Sequence, residues 1–244
     1  MRAPQVSVII PVFNDAAGLQ RCLTALQTQT WPAADRETLV VDNGSTQDLS
    51  AVRAAFPAVV WLEERQPGSY AARNRGLAAS RAPLLAFVDA DCVPRGDWLA
   101  TGFAALESDV AVGAVAGRVE LTVPDPLHPT WAETFQMQVA FPMERYVKEG
   151  FAGTGNLFTR RSVFDGVGPF RSDLRSGGDR EWGGRVRAAG HRIGYEPNAV
   201  VGHGARRTVR QLIAKERRVT GGLRDLAATP ESKSLGKHVL TTLW

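Results

Sequence analysis

Four β-rich runs separated by stretches of helical spacing fix the architecture of the first third of this chain. Val6-Ser7-Val8-Ile9-Ile10, Thr38-Leu39-Val40-Val41, Val59-Val60-Trp61-Leu62 and Pro83-Leu84-Leu85-Ala86-Phe87-Val88 read as strands. Leu19, Cys22, Leu23 and Leu26 recur at helical spacing, and residues 48–56 and 69–80 read as the next helices. This β-α-β-α-β-α-β order predicts an α/β fold: a mostly parallel sheet with helices on both faces. Right-handed crossovers bring the C-terminal strand ends to one edge, where ligands bind in such sheets. Pro11 to Asp15, Asp42 to Ser45 and Asp89 to Asp91 all fall on that edge.

The second half is less regular. Val112 to Val123 reads as one strand or two, and residues 124–150 as a proline- and aromatic-rich cover over an acceptor site. Gly153-Thr154-Gly155-Asn156 is a glycine turn before Leu157-Phe158. Residues 179–189 suggest a helix, and Arg192 to Tyr195 and Ala199-Val200-Val201 two short strands. From Ala205 a helix is expected with a strongly basic surface, weakened at Gly221-Gly222, before an apolar end at Val239 to Trp244. A solvated basic face and a membrane-surface role fit it equally. The expected units are a domain over 1–204 and a basic helical extension over 205–244.

At 244 residues the chain suits one large domain with an extension. Cys22 and Cys92 form no spaced framework, which points to a reducing compartment. The N-terminal apolar stretch is too short for a secretory leader, and no window reaches a membrane span. A net charge of +4 fits an anionic substrate or surface and gives no reason to expect nucleic acid. The expected location is cytoplasmic, or peripheral on the inner membrane face.

Asp89-Ala90-Asp91 is the chemically sharpest element. Carboxylates two residues apart at a strand end converge only if the backbone bends there. A hard divalent cation holding a phosphate is the natural neutraliser. Cys92 beside the pair reads as a small buried thiol, since such a cation prefers oxygen.

In ordered combination, Val6 to Asp15, Val41-Asp42-Asn43-Gly44-Ser45-Thr46, Ala72-Arg73-Asn74-Arg75-Gly76, Asp89-Ala90-Asp91, Gly153 to Asn156, Gly178-Asp179-Arg180-Glu181 and His203 resemble family 2 glycosyltransferases of the GT-A fold. The likeness covers about residues 5–204. It implies a Rossmann-like sheet and inverting transfer of a hexosyl-type sugar. The donor would be a nucleoside diphosphate sugar, uridine before guanosine. The acceptor would be a carbohydrate or lipid-linked hydroxyl in polysaccharide or glycolipid synthesis. Mn²⁺ or Mg²⁺ would assist.

Residue by residue, the resemblance places Pro11, Phe13 and Asp15 around base and ribose, with Asp15 equally a helix N-cap. Asp42 would accept a base N–H, with Ser45 beside it, or simply cap its turn. Arg73 would approach the diphosphate and Asp89 the ribose or a metal-bound water. Asp91 and His203, with Asp89, would serve the metal. Asp179 would be the general base, although Gly178 stands where the family carries an acid. Glu181 is a reserve carboxylate. Gly153, Thr154, Gly155 and Asn156 would let backbone approach the donor sugar. Trp182 stacks on an acceptor sugar or belongs to the core. Two rival readings are a sugar nucleotidyltransferase, which would want a glycine-rich basic loop after the first strand, and a non-catalytic nucleotide-sugar-binding protein.

Overall fold

The computed structural model describes residues 3–227. In β1 (Val6–Val12) alternate side chains leave by opposite faces: Val6, Val8, Ile10 and Val12 join one buried cluster, and Ile9 the other. β4 (Leu84–Val88) divides the same way, with Ala86 and Val88 on the first face and Leu85 and Phe87 on the second. Strands buried on both faces need near-continuous apolar runs. Ser7 is the polar exception, and its hydroxyl donates to Glu37 Oε1 (2.7 Å) while accepting from Ala82 N (3.1 Å).

With β2 (Arg36–Asp42), β3 (Val60–Glu63), β5 (Cys92–Pro94), β6 (Val112–Thr122), β7 (Asn156–Arg160) and β8 (Arg192–Gly204), the sheet runs β3-β2-β1-β4-β7-β6-β8-β5. The first four strands in that order are mutually parallel, as expected. β7 enters antiparallel to both β4 and β6, β8 is parallel to β6, and β5 returns antiparallel to β8. Helices α1 (Ala16–Gln27), α2 (Ser50–Ala55) and α4 (Trp98–Glu107) cover the first face. Helices α3 (Ser69–Ala79), α6 (Met143–Lys148), α7 (Arg161–Val167) and α8 (Gly178–Ala188) cover the second. Helices α5 (Trp131–Val139) and α9 (Val209–Ala227) lie beside the mouth of the site.

Val112 to Thr122 is one strand, the first of the two readings left open. Two details depart from the sequence reading. The two short strands expected after Arg192 are a single strand, β8, interrupted by a bulge where pairing jumps from Gly117↔Glu196 to Arg118↔Val200. Gly221-Gly222 does not break α9: a Cβ at Gly222 would come within 2.5 Å of Ser176 Cβ, so the glycine lets the helix settle on the loop before α8. The described part of the basic extension therefore packs on the domain. Val239 to Trp244 and the rest of 228–244 lie outside the described residues.

Helix α3 sits close on β1 because Gly76 has no side chain; a Cβ there would approach Ile9 Cγ2 to 2.5 Å. Gly76→Val is expected to lower stability by about 2–3 kcal/mol in urea denaturation, as overpacked cores do. An unchanged midpoint would show that α3 is free to lift.

Candidate active site

The polypeptide reaches the ligand edge through parallel neighbours, so Val12, Asp42 and Glu63 end β1, β2 and β3 side by side. Two asparagines that the sequence reading passed over tie these ends together. Asn14, in the left-handed region at φ 53°, accepts from Thr46 N (2.8 Å) and Gln47 N (3.0 Å). Asn43 donates to Glu64 O (3.0 Å) and Gln66 O (2.7 Å) and accepts from Gly68 N (2.7 Å). Asp15 does cap α1, accepting from Gly18 N at 2.8 Å. Asp42 Oδ1 accepts from Ser45 N (2.9 Å), and Ser45 Oγ from Asn14 N (2.9 Å). Pro11 is half-buried and Phe13 stands 61% exposed, an unpaired ring on the ligand edge.

Asp89 and Asp91 follow β4 and diverge. Asp89 Oδ1 takes an ion pair from Arg73 Nη2. Gly155 makes room for this carboxylate, since a Cβ there would lie 3.0 Å from Asp89 Oδ2. Arg73 itself is only 3% exposed, and its charge is directed at Asp89 on the ligand edge.

Asp91 faces the end of β8, where its Oδ2 lies 3.1 Å from His203 Nε2. His203 Nδ1 is 2.8 Å from Gly204 O, so this nitrogen donates to the carbonyl and Nε2 is left against a carboxylate. Something positive has to sit between them. Burial opposes both charges, yet the contact outweighs it: His203 is held above its ordinary pKa and Asp91 below. A divalent ion fits in place of that proton, because a metal-bound imidazole usually gives its other N–H to a carbonyl. Among the described residues no three His, Cys, Asp or Glu side chains converge as a metal group. Asp91 and His203 are the pair whose placement fits such an ion, while Asp89 is turned to Arg73. Phe141, at φ 53° despite its bulk, covers the imidazole at a ring distance of 4.7 Å. Cys22 and Cys92 are buried thiols whose pKa values burial pushes up, as expected of packing residues.

Asp179 opens α8 and is half-buried. Its Oδ1 accepts from Arg180 N (2.9 Å) and from Tyr70 Oη (3.3 Å), and its own N–H donates to the same phenol oxygen (3.3 Å). Burial raises its pKa, and the Arg180 hydrogen bond, the Arg73 charge and the Tyr70 hydrogen bond restrain the rise. The missing acid at Gly178 has a steric cause. A Cβ at 178 would come within 2.8 Å of the Tyr70 ring, whose hydroxyl contacts Asp179 from α3.

Three expected site residues have other work. Asn156 is fully buried; it accepts from Trp98 Nε1 (2.8 Å) and donates to Arg118 O and Ala199 O (2.9 Å each), carbonyls at the β8 bulge. Trp182 is 1% exposed, its ring stacked on Phe164 at 4.6 Å, so it belongs to the core and not to an acceptor subsite. Glu181 is held by Nε and Nη2 of Arg185 (2.8 and 2.9 Å), which occupy both of its oxygens. Gly153 packs near Met143 and Thr154 is buried beside it, in the turn that delivers Gly155.

The model of glycosyl transferase family 2 matches residues 7–168. The chain belongs to that family. It is 39% identical over 225 residues to glycosyltransferase AglE of Haloferax volcanii, covering 90% of this chain and 73% of that protein. It is 30% identical over 239 residues to the pre-mycofactocin glycosyltransferase of Mycobacterium tuberculosis, covering 94% of this chain but 49% of the relative. The fold superposes on a mannosyltransferase from Pyrobaculum calidifontis, solved with GDP-Man and Mn²⁺, with a TM-score of 0.68 at 23% identity, covering 89% and 61% of the two chains. TarS of S. aureus gives 0.62 at 16%, covering 82% and 60%. The chain thus spans about half to three quarters of the length of these proteins. It is a GT-A-type α/β protein and a nucleotide-sugar glycosyltransferase.

Tyr70→Phe removes a hydrogen bond that lowers the Asp179 pKa. The acid limb of the kcat/KM profile is expected to move to higher pH, with kcat reduced on the order of tenfold and donor KM little changed. An unmoved limb would mean that the phenol only packs.

Proposed function

We propose that this family 2 enzyme moves a sugar from a nucleoside diphosphate sugar to an acceptor hydroxyl with inversion, assisted by a divalent ion at Asp91 and His203. The observation that carries the reading is Asp179: a half-buried carboxylate of raised pKa, on the ligand edge and within the field of the Arg73 that holds Asp89. Perturbed carboxylates of this kind are suited to accept a proton near neutral pH.

In this reading the base meets Asp42, whose second oxygen is left for a base N–H, with Phe13 as a stacking wall. Uracil and guanine both present such an N–H and adenine does not. Uridine diphosphate is placed first, and the likeness to a protein solved with GDP-mannose keeps guanosine beside it. Asp89, steadied by Arg73, orients the ribose end of the donor. The ion, when bound, stabilises charge on the departing diphosphate. Asp91 and His203 would hold the ion, and Mn²⁺ and Mg²⁺ both suit a site with few protein ligands. Asp179 takes the proton of the acceptor hydroxyl as it attacks opposite the leaving group. The 153–155 turn lets backbone line the sugar between them. A polysaccharide or lipid-linked acceptor is the class this arrangement is proposed to serve.

Thermal shifts with uridine, guanosine and adenosine diphosphates, with and without Mn²⁺, test the donor half. Metal-dependent stabilisation by uridine or guanosine diphosphate is expected, about 2.7 kcal/mol at a hundred times Kd, and lost in Asp91→Ala. No stabilisation by any of them would favour a non-catalytic protein.

Asp179→Asn tests the base. Transfer is expected to fall by about 10²–10⁴-fold. Because the folded pKa is raised, ionised Asp179 costs stability as pH rises through that pKa. The variant should therefore melt no lower than the parent at neutral pH. Normal transfer by Asp179→Asn would remove the assignment.

A further inference from the structure

Helices α5 and α9 leave an apolar surface uncovered. Trp131 and Phe135 are 67% and 45% exposed and stack at 5.4 Å and 10°. Val209 and Ile213, one turn apart on α9, are 51% and 47% exposed. With Leu212 they form a groove of about 530 Å³ that no described segment fills. A soluble surface seldom presents two aromatic rings and two aliphatic side chains together without a use for them.

Its rim is cationic. Residues 205–222 contain six Arg and Lys and one acid, Glu216. That excess is larger than the +4 of the whole chain, so the remainder is slightly acidic and the positive charge is gathered here. Arg207, Arg210, Arg217 and Arg218 are exposed around the apolar strip.

We propose that this α5–α9 surface docks on an anionic lipid bilayer. Rings and aliphatic side chains entering the headgroup layer, ringed by arginines that meet anionic headgroups, are the chemistry of an interfacial helix. A second copy of the chain is a poor occupant, because face-to-face contact would set six cations against six. No described helix is long and apolar enough to cross a membrane, so the contact is one of surface docking.

The same elements reach the site. Thr130 Oγ1 accepts from Glu133 N (3.3 Å) as the cap of α5 and donates to Arg207 O (3.1 Å), and Gln136 Nε2 donates to Arg206 O (2.7 Å), fixing α5 to the segment that leads into α9. That segment, with Asp91 and His203, lines a cleft of about 730 Å³. Docking would hold the cleft at the lipid surface, where an acceptor anchored in the bilayer could enter. Only this last consequence rests on the proposed transferase reading.

Flotation of the full chain with vesicles tests the docking itself. Equimolar phosphatidylglycerol and phosphatidylcholine are compared with phosphatidylcholine alone, at low and high salt. Binding to the anionic vesicles is expected to exceed neutral binding on the order of tenfold and to fall with salt. Trp131→Ser with Ile213→Ser, and separately Arg210→Glu with Arg217→Glu, should each abolish it while melting temperature and the nucleotide-induced shift stay unchanged. Retained nucleotide shifts separate this result from a failure of the transferase reading. A parent chain that stays unbound, or serine variants that float as it does, would overturn the proposal. So would a parent that self-associates through this face in place of binding vesicles.

Discussion

A guanidinium placed almost wholly inside the protein is the constraint on which the site depends. Arg73 is 3% exposed, and its ion-pair partner is Asp89. Its Nε is buried without a hydrogen bond. Removing the partner of such a pair typically costs about 3–5 kcal/mol, because a charge is left stranded out of water. The Asp89 carboxylate is thereby fixed at the end of β4, and the glycine at 155 is what lets it stand there. The pair makes Asp89 a positioned group before any donor arrives, which is how a site avoids reorganising during reaction.

One helix holds both carboxylates to which the proposed chemistry is assigned. Arg73 of α3 pairs with Asp89, and Tyr70, one turn earlier, hydrogen-bonds Asp179. The Arg73 guanidinium lies 5.6 Å from the centre of the Tyr70 ring, so the two supports also touch. Behind them Phe170 packs on Tyr70 at 5.7 Å and on Trp182 at 5.4 Å, anchoring α3 to α8 through the core. The close seat of Gly76 on Ile9 fixes the height of α3 over the sheet. The placement of Asp89 and Asp179 relative to each other is thus set by packing, not by flexible loops.

The parallel half of the sheet was legible because double-sided burial demands uninterrupted apolar runs, and β1, β2 and β4 supply them. The other half was not, because a bulge carries no simple hydrophobic period. Residues between Glu196 and Val200 leave the ladder and made one strand read as two. Asn156, in a motif that suggested sugar contact, is spent on the carbonyls that bulge exposes. That Asp91 and His203 come together was foreseeable from type and position, since the turn after β4 and the end of β8 lie on one edge. The burial of Arg73 and its pairing with Asp89 were not legible, because burial of a cation cannot be read from a helix sequence that carries other arginines. Trp182 and Glu181 were claimed by an aromatic cluster and by Arg185. Tyr70 was not singled out, because its contact with Asp179 spans 109 residues and leaves no local mark in the sequence.

Nucleoside diphosphate affinity with Mn²⁺, measured through a double-mutant cycle on Arg73→Met and Asp89→Asn, tests the central dependence most directly. If Arg73 acts through Asp89, the double variant binds no more weakly than Asp89→Asn alone. Losses that add would show that Arg73 meets the donor independently of Asp89 and would contradict the arrangement described.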